Sequence, residues 1–167
     1  MGHPVLRRRA RAIERHEIKR PELQRFIDDM IETMAEYHGV GLAAPQVHEP
    51  LRIFIAAVED TPEHQPTVFI NPEITVLGTA AVEDWEGCLS IPDVRGRVPR
   101  AANIVVTALD RTGAKFELRA NDFPARVIQH ETDHLDGVLF LDRMKTFDTL
   151  TFLDEYARYW AKNDEDI

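Results

Sequence analysis

Gln129-His130-Glu131-Thr132-Asp133-His134 carries the spacing H-E-x-x-H. On an α-helix four residues turn through about 400°, so His130 and His134 share a face and Glu131 stands beside them. Two imidazole nitrogens and a carboxylate then converge on one point, half of a hydrolytic metal centre. The flanks favour a helix. Asp122 is placed to cap its start, Pro124 falls in the first turn where its missing N–H costs nothing, and Gly137 can end it in the left-handed conformation. Phe123, Val127, His130, Glu131 and His134 recur at i, i+4, i+7, i+8 and i+11, one stripe expected to face the interior. The bland alternative, two hydrogen-bonded histidines and a salt-bridged Glu131, buries polar groups that each need a partner.

Outward from this helix the chain reads as mixed. Leu23, Phe26, Ile27, Met30, Ile31 and Met34 make one apolar stripe between Pro21 and His38, an N-terminal amphipathic helix that stops at Gly39. Arg52 to Val58, Thr67 to Ile70, Glu73 to Leu77, Ile104 to Leu109 and Lys115 to Leu118 cluster β-branched and aromatic residues between Pro, Asn and Gly breaks. Asp110-Arg111-Thr112-Gly113 suits the turn of a hairpin. A C-terminal helix is expected from about Asp148 to Ala161, carrying Leu150, Leu153, Tyr156, Ala157 and Trp160. This order argues for an α+β fold, antiparallel sheets packed around the central H-E-x-x-H helix, in one domain spanning 1–167.

Composition agrees with a soluble globular chain: 44% hydrophobic and 29% charged residues, with no apolar run of the roughly 20 residues needed to cross a bilayer. No signal peptide is evident, and a cytoplasmic location is expected. A net charge of −9 argues against nucleic-acid binding, although Arg7, Arg8, Arg9, Arg11, Arg15, Lys19 and Arg20 cluster near the start as a solvated face. The acidic end, Lys162-Asn163-Asp164-Glu165-Asp166-Ile167, suggests no function.

A catalytic metal usually takes a third protein ligand and leaves one position for water. Two residues qualify. Cys88, the only cysteine, follows a glycine in Glu86-Gly87-Cys88-Leu89-Ser90, in a polar-flanked turn after a strand; Glu155 lies 21 residues past His134 and would suit a metallopeptidase of the gluzincin type. Alone, a cysteine is more often a small buried hydrophobe. A further segment, Gly39-Val40-Gly41-Leu42-Ala43-Ala44-Pro45-Gln46, is a tight backbone passage of small residues ending in a carboxamide.

These three segments, in this order, closely resemble the peptide deformylase family, and the resemblance runs from about Gly2 to the residues after Gly137. It implies that Cys88, His130 and His134 hold one divalent metal, ferrous iron natively, with zinc, nickel or cobalt also suited to the donors. It implies Glu131 as general base and acid, and the Gln46 amide and Leu89 backbone N–H as oxyanion donors. The implied substrate is the N-formylmethionyl end of a nascent chain, met close to the ribosome and released as formate and a free amino terminus. It would lie as an added strand along Val40, Gly41 and Gly87, its methionine in a pocket lined by Val127, Val40 and His130. Phe123 and Trp85 are weaker candidates for that pocket, Arg126 sits beside it, and Arg95 belongs to the closely matching stretch from Trp85 to Arg100. Insertions of the family's longer bacterial class are missing, which points to the compact class. Family members usually place a strand before Pro4-Val5-Leu6-Arg7, where three residues stand here, a difference bearing on the sheet edge more than on the metal site. A peptidase using Glu155 and a binding module without turnover are the competing readings.

Overall fold

Ile53-Phe54-Ile55-Ala56 is apolar at every position and wholly buried, as a strand covered on both faces must be. Alternation assigns its two faces: Ile53 and Ile55 pack with Leu23, Ile27, Met30 and Met34, whereas Phe54 and Ala56 pack with Val127, Ile128 and Leu135. The first four belong to one helix and the last three to another, so a sheet lies between two helices.

The computed structural model describes residues 1–58 and 66–161. After a 3-10 turn at Pro4–Arg7, the elements are α1 (Arg15–Ile18), α2 (Pro21–Glu36), β1 (Gly41–Ala43), a 3-10 turn at Ala44–Val47, β2 (Ile53–Ala56), β3 (Thr67–Val76), β4 (Ala81–Cys88), β5 (Ile91–Ala101), β6 (Asn103–Leu109), β7 (Lys115–Asn121), α3 (Asp122–Leu135), α4 (Phe140–Arg143), β8 (Thr151–Phe152) and α5 (Leu153–Tyr159). Five strands pair in the order β1-β2-β3-β6-β7 and three in the order β4-β5-β8, all antiparallel. The H-E-x-x-H helix α3 touches β1, β2, β6 and β7 of one sheet and β5 of the other, so the fold is α+β with that helix central. Among the described residues no helix is long and apolar enough to cross a membrane.

Several boundaries differ from expectation for local reasons. The two strands read at Thr67 and Glu73 are one, β3, whose register against β6 shifts between Ile70 and Glu73. There Asn71 adopts φ +51° and its amide grips the Ile13 backbone at both N (2.9 Å) and O (2.8 Å). A bulge explains both the break in pattern and the continuity of the strand. Asp122 does not cap α3: β7 runs straight into the helix, the Asp122 N–H bonds to the Ala102 carbonyl at 3.0 Å, and no side chain caps the N-terminus. Phe123, expected inside, is 56% exposed and borders a cleft. The expected helix from Asp148 to Ala161 shortens to α5, since Thr151 and Phe152 pair with Arg95 and Val94 along the edge of β5 and Thr149 Oγ1 accepts the Arg97 N–H at 3.1 Å. The open hydrogen bonds of a sheet edge outcompete the first helical turn. The hairpin turn from Asp110 to Gly113 forms as read, closed by Gly113 N–H to Asp110 O at 3.0 Å. Arg7, Arg9 and Arg11 of the basic stretch pair with Asp142, Asp136 and Glu17, and the acidic end lies outside the described residues.

Gly137 ends α3 at φ +73°, and a Cβ there would meet the Arg7 carbonyl carbon at 2.7 Å. Both the conformation and the space exclude a side chain. Gly137→Ala is therefore expected to lower stability by about 1–3 kcal/mol, read as a lower denaturant midpoint; a midpoint equal to wild type would contradict this account of the turn.

Candidate active site and metal centre

His130 and His134 fall one helical turn apart on α3, and Cys88 is the last residue of β4, delivered by a two-residue hairpin turn at Leu89-Ser90. The Cys88 Sγ lies 3.3 Å from His134 Nε2, and one donor atom from each of the three residues lies within 4.8 Å of the others. Metal–ligand bonds of about 2.0–2.3 Å at tetrahedral angles set donors about 3.3–3.8 Å apart, so the set fits one metal ion. Among the described residues, no other trio of His, Cys or acidic groups converges in this way. Glu155 is not part of it: the carboxylate reaches Arg158 at 3.3 Å, one helical turn along α5.

Glu131 stands beside this trio, and its Oε2 is buried with no hydrogen-bond partner. Burial raises its pKa to about 7, with the neighbouring His130 opposing and Glu86 adding to the rise. The glycine passage is tight against this side chain: a Cβ on Gly41 would sit 2.8 Å from Glu131 Cγ and Cδ. Gln46, in the 3-10 turn after β1, is fixed by accepting the Ala43 N–H at 2.8 Å and directs its Nε2 to Ser90 Oγ (3.3 Å) and Cys88 Sγ (3.6 Å). An amide donor thus faces the same point as the thiol.

These groups open into a cleft of about 540 Å³ whose wall includes Val40, Gly41, Gly87, Leu89, Arg95, Val127, His130 and Glu131. Every residue assigned from the sequence to the substrate side therefore lies on one surface. Val127 is buried, while Val40 and Leu89 are each 47% exposed toward the opening. Trp85, Phe123 and Arg126 also border it. Trp85 is held edge-on against Tyr156 and Trp160 at ring distances of 4.9 and 5.4 Å, and Arg95 lies over the Tyr156 ring at 5.1 Å.

Behind the ligands is a buried charge cluster. The Glu86 carboxylate accepts from Arg100 at Nε (2.9 Å) and Nη2 (3.0 Å), from Arg126 Nη1 (2.8 Å) and, through Oε2, from His130 Nδ1 (2.9 Å). Burial pushes Glu86 up, but the hydrogen bonds from His130 and Arg100 win and hold it at about 2. Burial likewise pushes His130 down, yet its hydrogen bonds to Cys88 and Glu86 raise it to about 10. His134 falls to about 3 through burial and the nearby charge of His130. In geometry, Glu86 fixes His130 through Nδ1 and leaves its Nε2 for the thiol side.

A family model described as polypeptide deformylase matches residues 1–149. The chain belongs to that family. Peptide deformylase 2 of Nostoc sp. is 45% identical to it over 170 residues, covering 98% of this chain and 93% of the relative. The peptide deformylase of Dictyoglomus thermophilum is 49% identical over 143 residues, 86% of this chain and 88% of the relative. In three dimensions the class I type b peptide deformylase of Acinetobacter baumannii, solved with Met-Ala-Ser bound, superposes with a TM-score of 0.80 at 38% identity, covering 86% of this chain and 94% of that one. Members of the family are metal-dependent hydrolases that remove the N-formyl group from nascent chains, and this chain is one of them.

Sequence reading missed the roles of Glu86, Arg100 and Asp133. Glu86 and Asp133 lie inside the quoted motifs, but only the fold brings them to shared guanidinium groups; a buried acid next to a ligand residue was the one available hint. Arg126, expected beside the methionine pocket, is paired with Glu86 and with the Val98 carbonyl at 2.8 Å. Glu86→Gln leaves Arg126 buried without an anion and Arg100 with Asp133 alone, and a loss of about 3–5 kcal/mol is expected. The sign with pH follows: a carboxylate held at about 2 against an ordinary 4.5 stabilises fully above that ordinary value and loses its contribution as pH falls toward 2. The stability gap between wild type and Glu86→Gln should therefore narrow below about pH 4.5; a gap constant from pH 7 to pH 3 would contradict it.

Proposed function

We propose that Cys88, His130 and His134 hold one divalent metal, ferrous iron in the native enzyme, and that Glu131 moves the proton in removal of the formyl group from N-formylmethionyl chains. The observation that carries this reading is the placement of a buried, unpartnered Glu131 oxygen beside a Cys-His-His donor set at the floor of the cleft. When bound, the metal supplies Lewis acidity toward the formyl oxygen and makes water acidic enough to lose a proton near neutral pH. Glu131 accepts a proton from the attacking water as its oxygen bonds to the formyl carbon. Gln46 Nε2 and the Leu89 backbone N–H donate to the oxyanion that develops there. As the C–N bond breaks, Glu131 returns the proton to the departing amine, leaving formate and a free α-amino terminus. A carboxyl held near pH 7 by burial is suited to both transfers.

Val127 and Val40 offer apolar surface for the methionine side chain, and backbone groups of Val40, Gly41 and Gly87 bind the peptide as an added strand tolerant of sequence. Arg95 contributes charge at the outer part of the cleft. The relative with Met-Ala-Ser bound supports a peptide of this kind as ligand. A nascent chain as substrate places the enzyme in the cytoplasm, close to the ribosome. No nucleic-acid contact is needed, and the net charge of −9 disfavours one.

Formyl-Met-Ala-Ser and an unformylated peptide, incubated with protein reconstituted anaerobically with ferrous iron, test the reaction by mass spectrometry. Loss of the formyl group alone is expected; internal cleavage, or no change in either peptide, would overturn the assignment. Glu131→Gln should keep its metal and lose turnover by about 10³-fold or more, and near-normal turnover would remove Glu131 from its role. Iron and a thiolate together predict inactivation in air. Equal lifetimes with and without oxygen would count against iron.

A further inference from the structure

Asp133 is buried, lies between the two histidines of H-E-x-x-H and touches neither the cleft nor the ligand atoms. Its carboxylate is instead held from two sides. Arg100 Nη1 reaches Oδ2 at 2.5 Å, and Arg143 closes a two-pronged contact, Nη2 to Oδ1 at 2.7 Å and Nε to Oδ2 at 3.1 Å. Arg143 is the last residue of α4, half-exposed, and belongs to none of the three motifs.

We infer that Arg143 is a positioning residue for the metal centre, acting through Asp133, Arg100 and Glu86 on His130. The inference rests on reading Cys88, His130 and His134 as the metal ligands. The chain of contacts is continuous: Arg143 to Asp133, Asp133 to Arg100, Arg100 to Glu86 through two hydrogen bonds, and Glu86 Oε2 to His130 Nδ1. The links from Asp133 to Arg100 and from Arg100 to Glu86 are buried, so no solvent replaces a lost partner there, and the last, to His130, is part-buried. Among the described residues, Asp133 Oδ1 accepts from Arg143 alone; a fork on both oxygens fixes the plane of the carboxylate, which a single contact does not. Fixing that plane aims Oδ2 at Arg100 and leaves Arg100 Nε and Nη2 for Glu86. Glu86 then holds the imidazole ring of His130 in one orientation, with Nε2 toward the metal position.

Packing explains why a residue from a four-residue helix can serve this purpose. Phe140, at the start of α4, is buried with its ring stacked along that of His130 at 6.5 Å, and the α4 segment shares a core with Ile91 and Val98 of β5. Arg143 is therefore delivered by an element already seated against the ligand it serves. Its half-exposed stem also makes its replacement less costly to the fold than that of Arg100.

The test reads metal retention rather than turnover. Full-length protein loaded with Ni²⁺ is mixed with a colorimetric chelator, and the release rate is followed for wild type, Arg143→Met, Arg143→Lys and Glu86→Gln, and for Arg143→Met combined with Glu86→Gln. Arg143→Met is expected to release the metal about three- to tenfold faster, with Arg143→Lys between it and wild type because lysine keeps the charge but not the fork. In the Glu86→Gln background, the Arg143 substitution should add little, because the link it acts through is already broken. Release at the wild-type rate, or full acceleration persisting without Glu86, would overturn the inference. If Arg143→Met does not fold, the comparison of Arg143→Lys with wild type decides. Cys88→Ala separates the two levels: if it retains Ni²⁺ like wild type, the ligand assignment itself fails, whereas its loss of metal with Arg143 variants unchanged sinks only the positioning role.

Discussion

The hydrogen bond from His130 Nδ1 to Glu86 joins two elements that nothing in sequence holds together. Cys88 arrives at the end of β4 and the histidines on α3, so the donor set exists only while those elements keep their relative position. Glu86 stands two residues before Cys88 and bonds His130, Arg100 and Arg126; Asp133 stands one residue before His134 and bonds Arg100 and Arg143. Burying Glu86, Arg100, Arg126 and Asp133, four charges, is costly, and an apolar core of equal volume would often be as stable. What the cluster adds is registration, because guanidinium and carboxylate meet only in a narrow range of geometry.

Around that cluster the apolar fold is a support. The five-stranded sheet carries α2 on one face and α3 on the other, with Ile53 and Ile55 divided from Phe54 and Ala56 by simple alternation. This sets α3 so that Glu131 presses on Gly41 of the edge strand β1. The three-stranded sheet brings Cys88 from the opposite side, and the cleft is the space between the sheets. Its floor is polar and preorganised, while Val40, Leu89 and Phe123 leave exposed apolar surface at its mouth.

How legible this was depended on the range of the interactions involved. Helices α2 and α3 follow from apolar spacing within a few turns, and the three ligand residues from motif spacing and family resemblance. Of the β4–β5 hairpin only the strand leading into the Cys88 turn was legible: Glu83, Asp84, Glu86, Arg95, Arg97 and Arg100 interrupt any alternation, and Pro92 and Pro99 read as breaks. Several of those charges are resolved only across the hairpin or by α3, at sequence separations no local pattern records. The C-terminal segment erred in the other direction. Its apolar spacing read as one long helix, yet the edge of β5 captured Thr151 and Phe152, and Leu150 and Leu153 remain 39% exposed. Periodicity reports what a segment can bury, not whether a neighbour claims its backbone first.

The claim on which the whole account turns is that a cysteine from one sheet and two histidines from the central helix share one metal ion. X-ray absorption at the metal edge of the zinc-loaded protein reads those donors directly. The predicted shell is one sulfur at about 2.3 Å with imidazole nitrogens at about 2.0–2.1 Å, the sulfur vanishing in Cys88→Ala. A shell of nitrogen and oxygen alone in the wild-type protein would contradict it.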